Sequence, residues 1–166
     1  MIHSSREKGD RFYMNKKVSG KGLAIILLFI LIIAAVIFFL FNNASGHQAE
    51  EAVNEFYSYE QDGSYAESWA MFHPLMQEKF PKGDYIEDRA HVFMNHFGVT
   101  SFTYSLDDVS EVHNWQMDEK SEKIDHAYKV TVTQVFKGKY GNFMIVQDVY
   151  VTLMDDQWKV LWDYNL

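Results

Sequence analysis

Seven histidines, 23 carboxylates and no cysteine set the chemistry open to this 166-residue chain. Without thiols there are no disulfides, no thiolate nucleophiles and no Cys-based zinc sites. Metal binding would fall to histidine and carboxylate, so spacing decides. His91 and His96 lie five apart on a predicted helix, about 140° around its axis, and cannot share an ion. Asp88 and His91, three apart, share a helix face, but no second ligand cluster accompanies them, and a solvated face is the expectation. No metal and no cofactor is assigned.

Nucleophilic chemistry fares no better. Ser5-Arg6-Glu7-Lys8 spells S-x-x-K, but the S-D-N and K-T-G elements that make such a serine an acyl acceptor are missing. H-E-x-x-H, G-x-S-x-G and phosphate-cradling glycine loops are also missing. Asp107-Asp108 and Asp155-Asp156 are chain neighbours, which face opposite ways on a strand; they suit turns rather than a catalytic pair. No catalytic residue is assigned, and the expectation is a non-enzyme.

Two sets of binding candidates are left. His113, His126 and Gln134 sit in or beside predicted strands, where they either point into an interior or face water at strand ends. Trp115 and Met117 adjoin the charged run Asp118–Lys123, which suits a hairpin tip. Aromatics and Met favour protein contacts, whereas burial of Trp115 in the sheet is the equal alternative.

These residues need elements to hold them. Residues 23–41 are 19 consecutive apolar residues, about 28 Å of helix against a hydrocarbon core of about 30 Å. Residues 1–22 carry six basic and two acidic side chains, net +4, while 9 basic and 21 acidic residues follow the apolar run, net −12. Basic flanks stay in the cytoplasm, so the C-terminal part is expected outside. A domain that acidic repels phosphate backbones, which disfavours nucleic acid as a partner. The run is longer than the apolar core of a cleaved signal peptide, so retention is expected, with the small residues Ala44-Ser45-Gly46 the place for cleavage if it occurs. The domain plan is a basic tail at 1–22, a lipid-facing span at 23–41, a linker at 42–47 and an extracytoplasmic domain at 48–166.

In that domain Ala49, Ala52, Val53, Phe56 and Tyr57 follow helical spacing, and Asp62-Gly63 stops the helix. Ser64 and Glu67 form a capping-box pattern for a second helix that buries Tyr65, Trp69 and Phe72 and ends before Pro74. Asp84 and Glu87 repeat it for a third, with Ile86, Ala90, Phe93, Met94 and Phe97 on one face and Gly98 at its end. The period then changes to 2. Phe102, Tyr104 and Leu106 form one strand face, with an interruption at Asp107-Asp108, and Tyr128, Val130 and Val132 form the next. A long strand over Phe143–Met154 and a last one with Trp158, Val160 and Trp162 complete an antiparallel meander. The fold class is α+β, three N-terminal helices against a curved antiparallel sheet of four to six strands.

Three segments carry a resemblance: Glu51–Phe72, Lys82–Phe102 and the ending Gln157–Leu166, with Trp158-Lys159-Val160-Leu161-Trp162-Asp163 the most specific. They resemble the NTF2-like N-terminal domain that follows the anchor of methicillin-resistance-type class B penicillin-binding proteins. The resemblance implies a cone-shaped fold and the cell membrane of a Gram-positive bacterium. In those proteins the domain precedes a transpeptidase, whose motifs this sequence lacks, so no residue role carries over. The implied function is a non-catalytic module that binds an extracytoplasmic protein in cell-envelope or peptidoglycan assembly or its regulation. The alternative is a small-molecule-binding or enzymatic pocket at the membrane surface.

Overall fold

The computed structural model describes residues 20–91, 98, 99 and 101–165, without the side chains of 20 and 39–44. Ser5, Lys8 and the rest of the tail at 1–19, and Phe93, Met94, His96 and Phe97 of the expected third helix, lie outside the described residues. The chain divides into two compact units, up to Leu40 and from Phe41 onward.

The first unit carries the apolar run. It belongs to helix α1, Gly20–Asp62, whose 43 residues give the stretch 42–47, expected as a linker, a helical backbone as well. Lys21–Phe38 has a mean hydropathy of 3.0 and none of it is buried, so by length and composition it can cross a membrane as a single-pass anchor.

The second unit is α+β. Ala49, Ala52, Val53, Phe56 and Tyr57 form the buried face of α1, as their spacing predicts. The helix closes in a Schellman motif: Gly63 adopts φ +74°, Ser64 N–H donates to Tyr59 O at 2.8 Å and Gly63 N–H to Glu60 O at 3.3 Å. This changes the role expected of Ser64. It occupies the N-cap of α2, Tyr65–Ala70, but its side chain makes no capping bond; Glu67 and Ser68 N–H donate instead to Ser64 O at 3.1 and 3.2 Å. Phe72 lies beyond α2 and bridges to Val160 of the sheet.

Pro74 starts a helix as well as stopping one. It opens α3, Pro74–Lys79, where its missing N–H costs nothing, and His73 caps that helix by accepting from Leu75 N–H at Nδ1, 3.3 Å. Helix α4, Lys82–Ala90, has Pro81 rather than Asp84 at its N-cap; Asp84 lies in the first turn.

The sheet has four strands, the lower end of the expected range: β1 Phe102–Gln116, β2 Lys123–Gly138, β3 Gly141–Met154 and β4 Gln157–Trp162, antiparallel in the order β1-β2-β3-β4. The Asp107-Asp108 interruption is a bulge within β1, where the register shifts between Leu106 and Val109. Asp155 and Asp156, at φ 50° and 59°, make the two-residue turn between Met154 and Gln157, the geometry of a type I′ hairpin. The inner face presents Phe102, Val130, Val132, Phe136, Val149, Val151 and Val160 to the helices, all buried. Aromatic rings seal the junction: Phe72 meets Phe56 and Trp162 at 5.2 and 5.1 Å, and Phe136 meets Phe102 at 5.1 Å.

On the opposite face Ala127, Tyr150, Thr152 and Leu161 are buried too, and the far half of the β1–β2 hairpin reaches Tyr150 and Thr152, whose Oγ1 donates to His126 O at 2.8 Å. Asn114 takes φ 52°, and Trp115 lies flat on Tyr150 with ring centroids 4.0 Å apart. Tyr164 N–H donates to Met117 O at 2.8 Å and holds the hairpin tip down. β4 pairs with β3 only from Val149 on. The outer edge of residues 142–148 has no strand partner among the described residues, and Met144 and Val146 are more than 60 % exposed there.

Candidate functional site

Among the described residues, side chains fill most of the space between helices and sheet around Glu60. The cavity lined by Glu60, Tyr65, Arg89, Val99, Phe102 and Phe136 has a volume of about 10 Å³, at most one water. Glu60 occupies the next slot on the apolar face of α1, four residues after Phe56, and its side chain is 0 % exposed. Ser68 Oγ and Tyr85 Oη donate to its Oε1 at 2.5 and 2.7 Å, and Arg89 Nε donates to its Oε2 at 2.6 Å, with Arg89 Nη2 on the same oxygen. Burial, and after it Glu60, raises the Tyr85 hydroxyl well above its ordinary pKa; burial likewise raises Tyr57. Both phenols therefore stay protonated. The cluster satisfies every oxygen of a buried carboxylate and ties α1, α2 and α4 together.

The five residues singled out from the sequence do not converge. Gln134 points inward and is 4 % exposed, as one of its two expected placements has it; its Nε2 has no hydrogen-bond partner among the described residues. His113 and His126 pair across β1 and β2, eight residues along β2 from Gln134, roughly 26 Å of strand. Met117 is 4 % exposed, so it is a core residue and offers a partner no surface, because the fold-back of the hairpin encloses it. Trp115 is half-buried on Tyr150, the burial alternative of its two readings.

His113 and His126 are joined by Glu111, which the sequence reading passed over. Its Oε1 lies 2.5 Å from His126 Nε2 and 3.4 Å from His113 Nε2, and the imidazole centroids are 5.3 Å apart. The signal available was Glu111-x-His113, period 2 on one strand, but the third member comes only with the β1–β2 register.

An open groove of about 800 Å³ lies between α1, α2 and the β3–β4 hairpin. Its floor is apolar, with Ala52, Met71, Leu153 and Trp158, and its rim is acidic, with Glu51, Glu55, Glu67 and Asp156. Leu153 is 54 % exposed. Lys159 donates from Nζ to Ala70 O at 3.2 Å, which engages the cation of this wall. The groove can therefore receive an elongated segment with apolar contacts below and cations along its sides.

No protein-family model matches this sequence, and no curated protein matches it either.

Proposed function

We propose that the chain is a membrane-anchored, non-catalytic module whose extracytoplasmic, NTF2-like domain docks another envelope protein, in cell-envelope or peptidoglycan assembly or its regulation. The observation that carries this reading is the contrast between a filled interior of about 10 Å³ and an open groove of about 800 Å³ with an apolar floor and acidic rim. Among the described residues, the interior cavity falls far below the roughly 300 Å³ of a typical small-molecule chamber. A protein segment bearing Lys or Arg beside apolar residues fits the groove by charge and by shape.

Helices first, then a four-stranded meander ending on the Trp158–Trp162 strand, supports the NTF2-like assignment. The apolar stretch Lys21–Phe38 supports the anchor, and six basic residues ahead of it support the outward direction. Placed in living cells, a photo-activated cross-linking residue at Glu55 or Leu153 should capture one defined envelope protein, whereas the same residue at Met144 should not. Equal capture from all three positions, or none from the groove, overturns the docking assignment.

A further inference from the structure

We propose that Glu111, His113 and His126 form a binding site for a divalent transition-metal ion of the zinc class. The proposal is independent of the groove and of the partner assigned to it. It begins with pleating. Glu111 and His113 are two apart on β1, so they share a face, and the register sets His113 opposite His126. Three potential ligands thus lie on one face of two adjacent strands, held by backbone that is hydrogen-bonded on both sides of them.

The side chains converge rather than merely neighbour one another. Both imidazoles present Nε2, and both nitrogens approach the same oxygen, Glu111 Oε1. All three ligand atoms lie within 4.8 Å of one another. A tetrahedral ion with ligands at about 2.1 Å separates them by about 3.4 Å. The Glu111–His113 pair already stands at that spacing, 3.4 Å, and the Glu111–His126 contact has to open from 2.5 Å. Rotation of a carboxylate that is 36 % exposed accomplishes this without moving backbone.

The donor set selects the ion. Two imidazoles and one carboxylate suit zinc, nickel or copper, whereas calcium and magnesium require oxygen ligands throughout. Three protein ligands leave a fourth position, and side-chain exposures of 61 % at His113 and 45 % at His126 leave it open to water or to a group from outside. The net charge of −12 beyond the apolar run draws cations toward the domain. Glu111 also has a role without metal: its Oε1 hydrogen-bonds His126 Nε2 and stands 3.4 Å from His113 Nε2, which keeps the two rings near one point.

The test uses the untagged full-length chain in detergent micelles, titrated with Zn²⁺ against a chromophoric chelator. The expected result is one ion per chain. His113→Ala and His126→Ala should each weaken binding by more than about 100-fold, beyond the loss seen when an outer-shell partner is removed. His47→Ala, at the exposed histidine beside Glu50 and Glu51, should leave binding unchanged. In the wild-type protein, Zn²⁺ should shield His113 and His126 from carbethoxylation, read by peptide mass spectrometry, while His47 stays reactive. This second measurement stands even if a variant fails to fold. Binding that survives in His113→Ala/His126→Ala, or equal carbethoxylation with and without Zn²⁺, overturns the site.

Discussion

Arg89→Met should damage the fold far more than Glu60→Gln, although the two residues form one ion pair. Removing Arg89 leaves a carboxylate whose side chain is 0 % exposed with, among the described residues, the Ser68 and Tyr85 hydroxyls as donors. Breaking a buried pair in this way costs about 3–5 kcal/mol. Glu60→Gln keeps an oxygen for both hydroxyls and removes no donor from the cluster, and the guanidinium beside it is 19 % exposed to water; the expected cost is about 1–2 kcal/mol. Urea unfolding of the detergent-solubilised chain, followed by tryptophan fluorescence, separates the two. All four tryptophans, Trp69, Trp115, Trp158 and Trp162, belong to the second unit, so the signal reports that unit alone. With a urea slope of about 1.5 kcal/mol per molar, the midpoint should fall by about 2–3 M for Arg89→Met and about 1 M for Glu60→Gln. Equal shifts, or a larger one for Glu60→Gln, would refute the view that the uncompensated buried carboxylate dominates.

Acid should weaken the domain partly through His73. Burial holds this imidazole below its ordinary 6.5, Lys159 acts in the same direction and Glu122 opposes them. Since the folded value lies below the unfolded one, the unfolded chain binds the proton more readily; this contribution is complete above about pH 6.5 and is lost as pH falls toward the folded value. His73→Asn keeps a capping side chain for α3 without titrating, so its melting temperature relative to wild type should rise between pH 7.5 and 5.5; a constant difference would count against the reading. Asp155→Asn/Asp156→Gly places the preferred type I′ pair on two residues already at φ 50° and 59° and should raise stability by about 1 kcal/mol in the same urea assay; a loss would show that the turn is held by side-chain contacts instead.

What could be read from the sequence was what depends on local period. The buried face of α1, the change to strands after residue 101 and the two-Asp turn all lie within a few residues of their cause. Pro74 was legible only as a stop, because the same residue type breaks one helix and opens the next, and the His73 cap decides between them. Ser64 matched a cap pattern, but that pattern does not encode that its N–H closes α1 on Tyr59 O and is not free for the Glu67 carboxylate. The fold-back that buries Met117 depends on Tyr164, and the Glu111 group depends on cross-strand register, neither of which is local. Glu60 was open to notice: a carboxylate in an apolar-face slot must find buried partners, and they lie at positions 68, 85 and 89.

The contact between Phe56 and Trp162, with ring centroids 6.2 Å apart, bears on timing. Nascent chains emerge at about 5–20 residues per second, so the roughly 100 residues between these rings separate their appearance by about 5–20 s. Throughout that interval α1 displays Ala49, Val53, Phe56 and Tyr57 with no sheet to receive them. The cell must either shelter this stripe during synthesis or complete the chain fast enough that the sheet arrives before another apolar surface does.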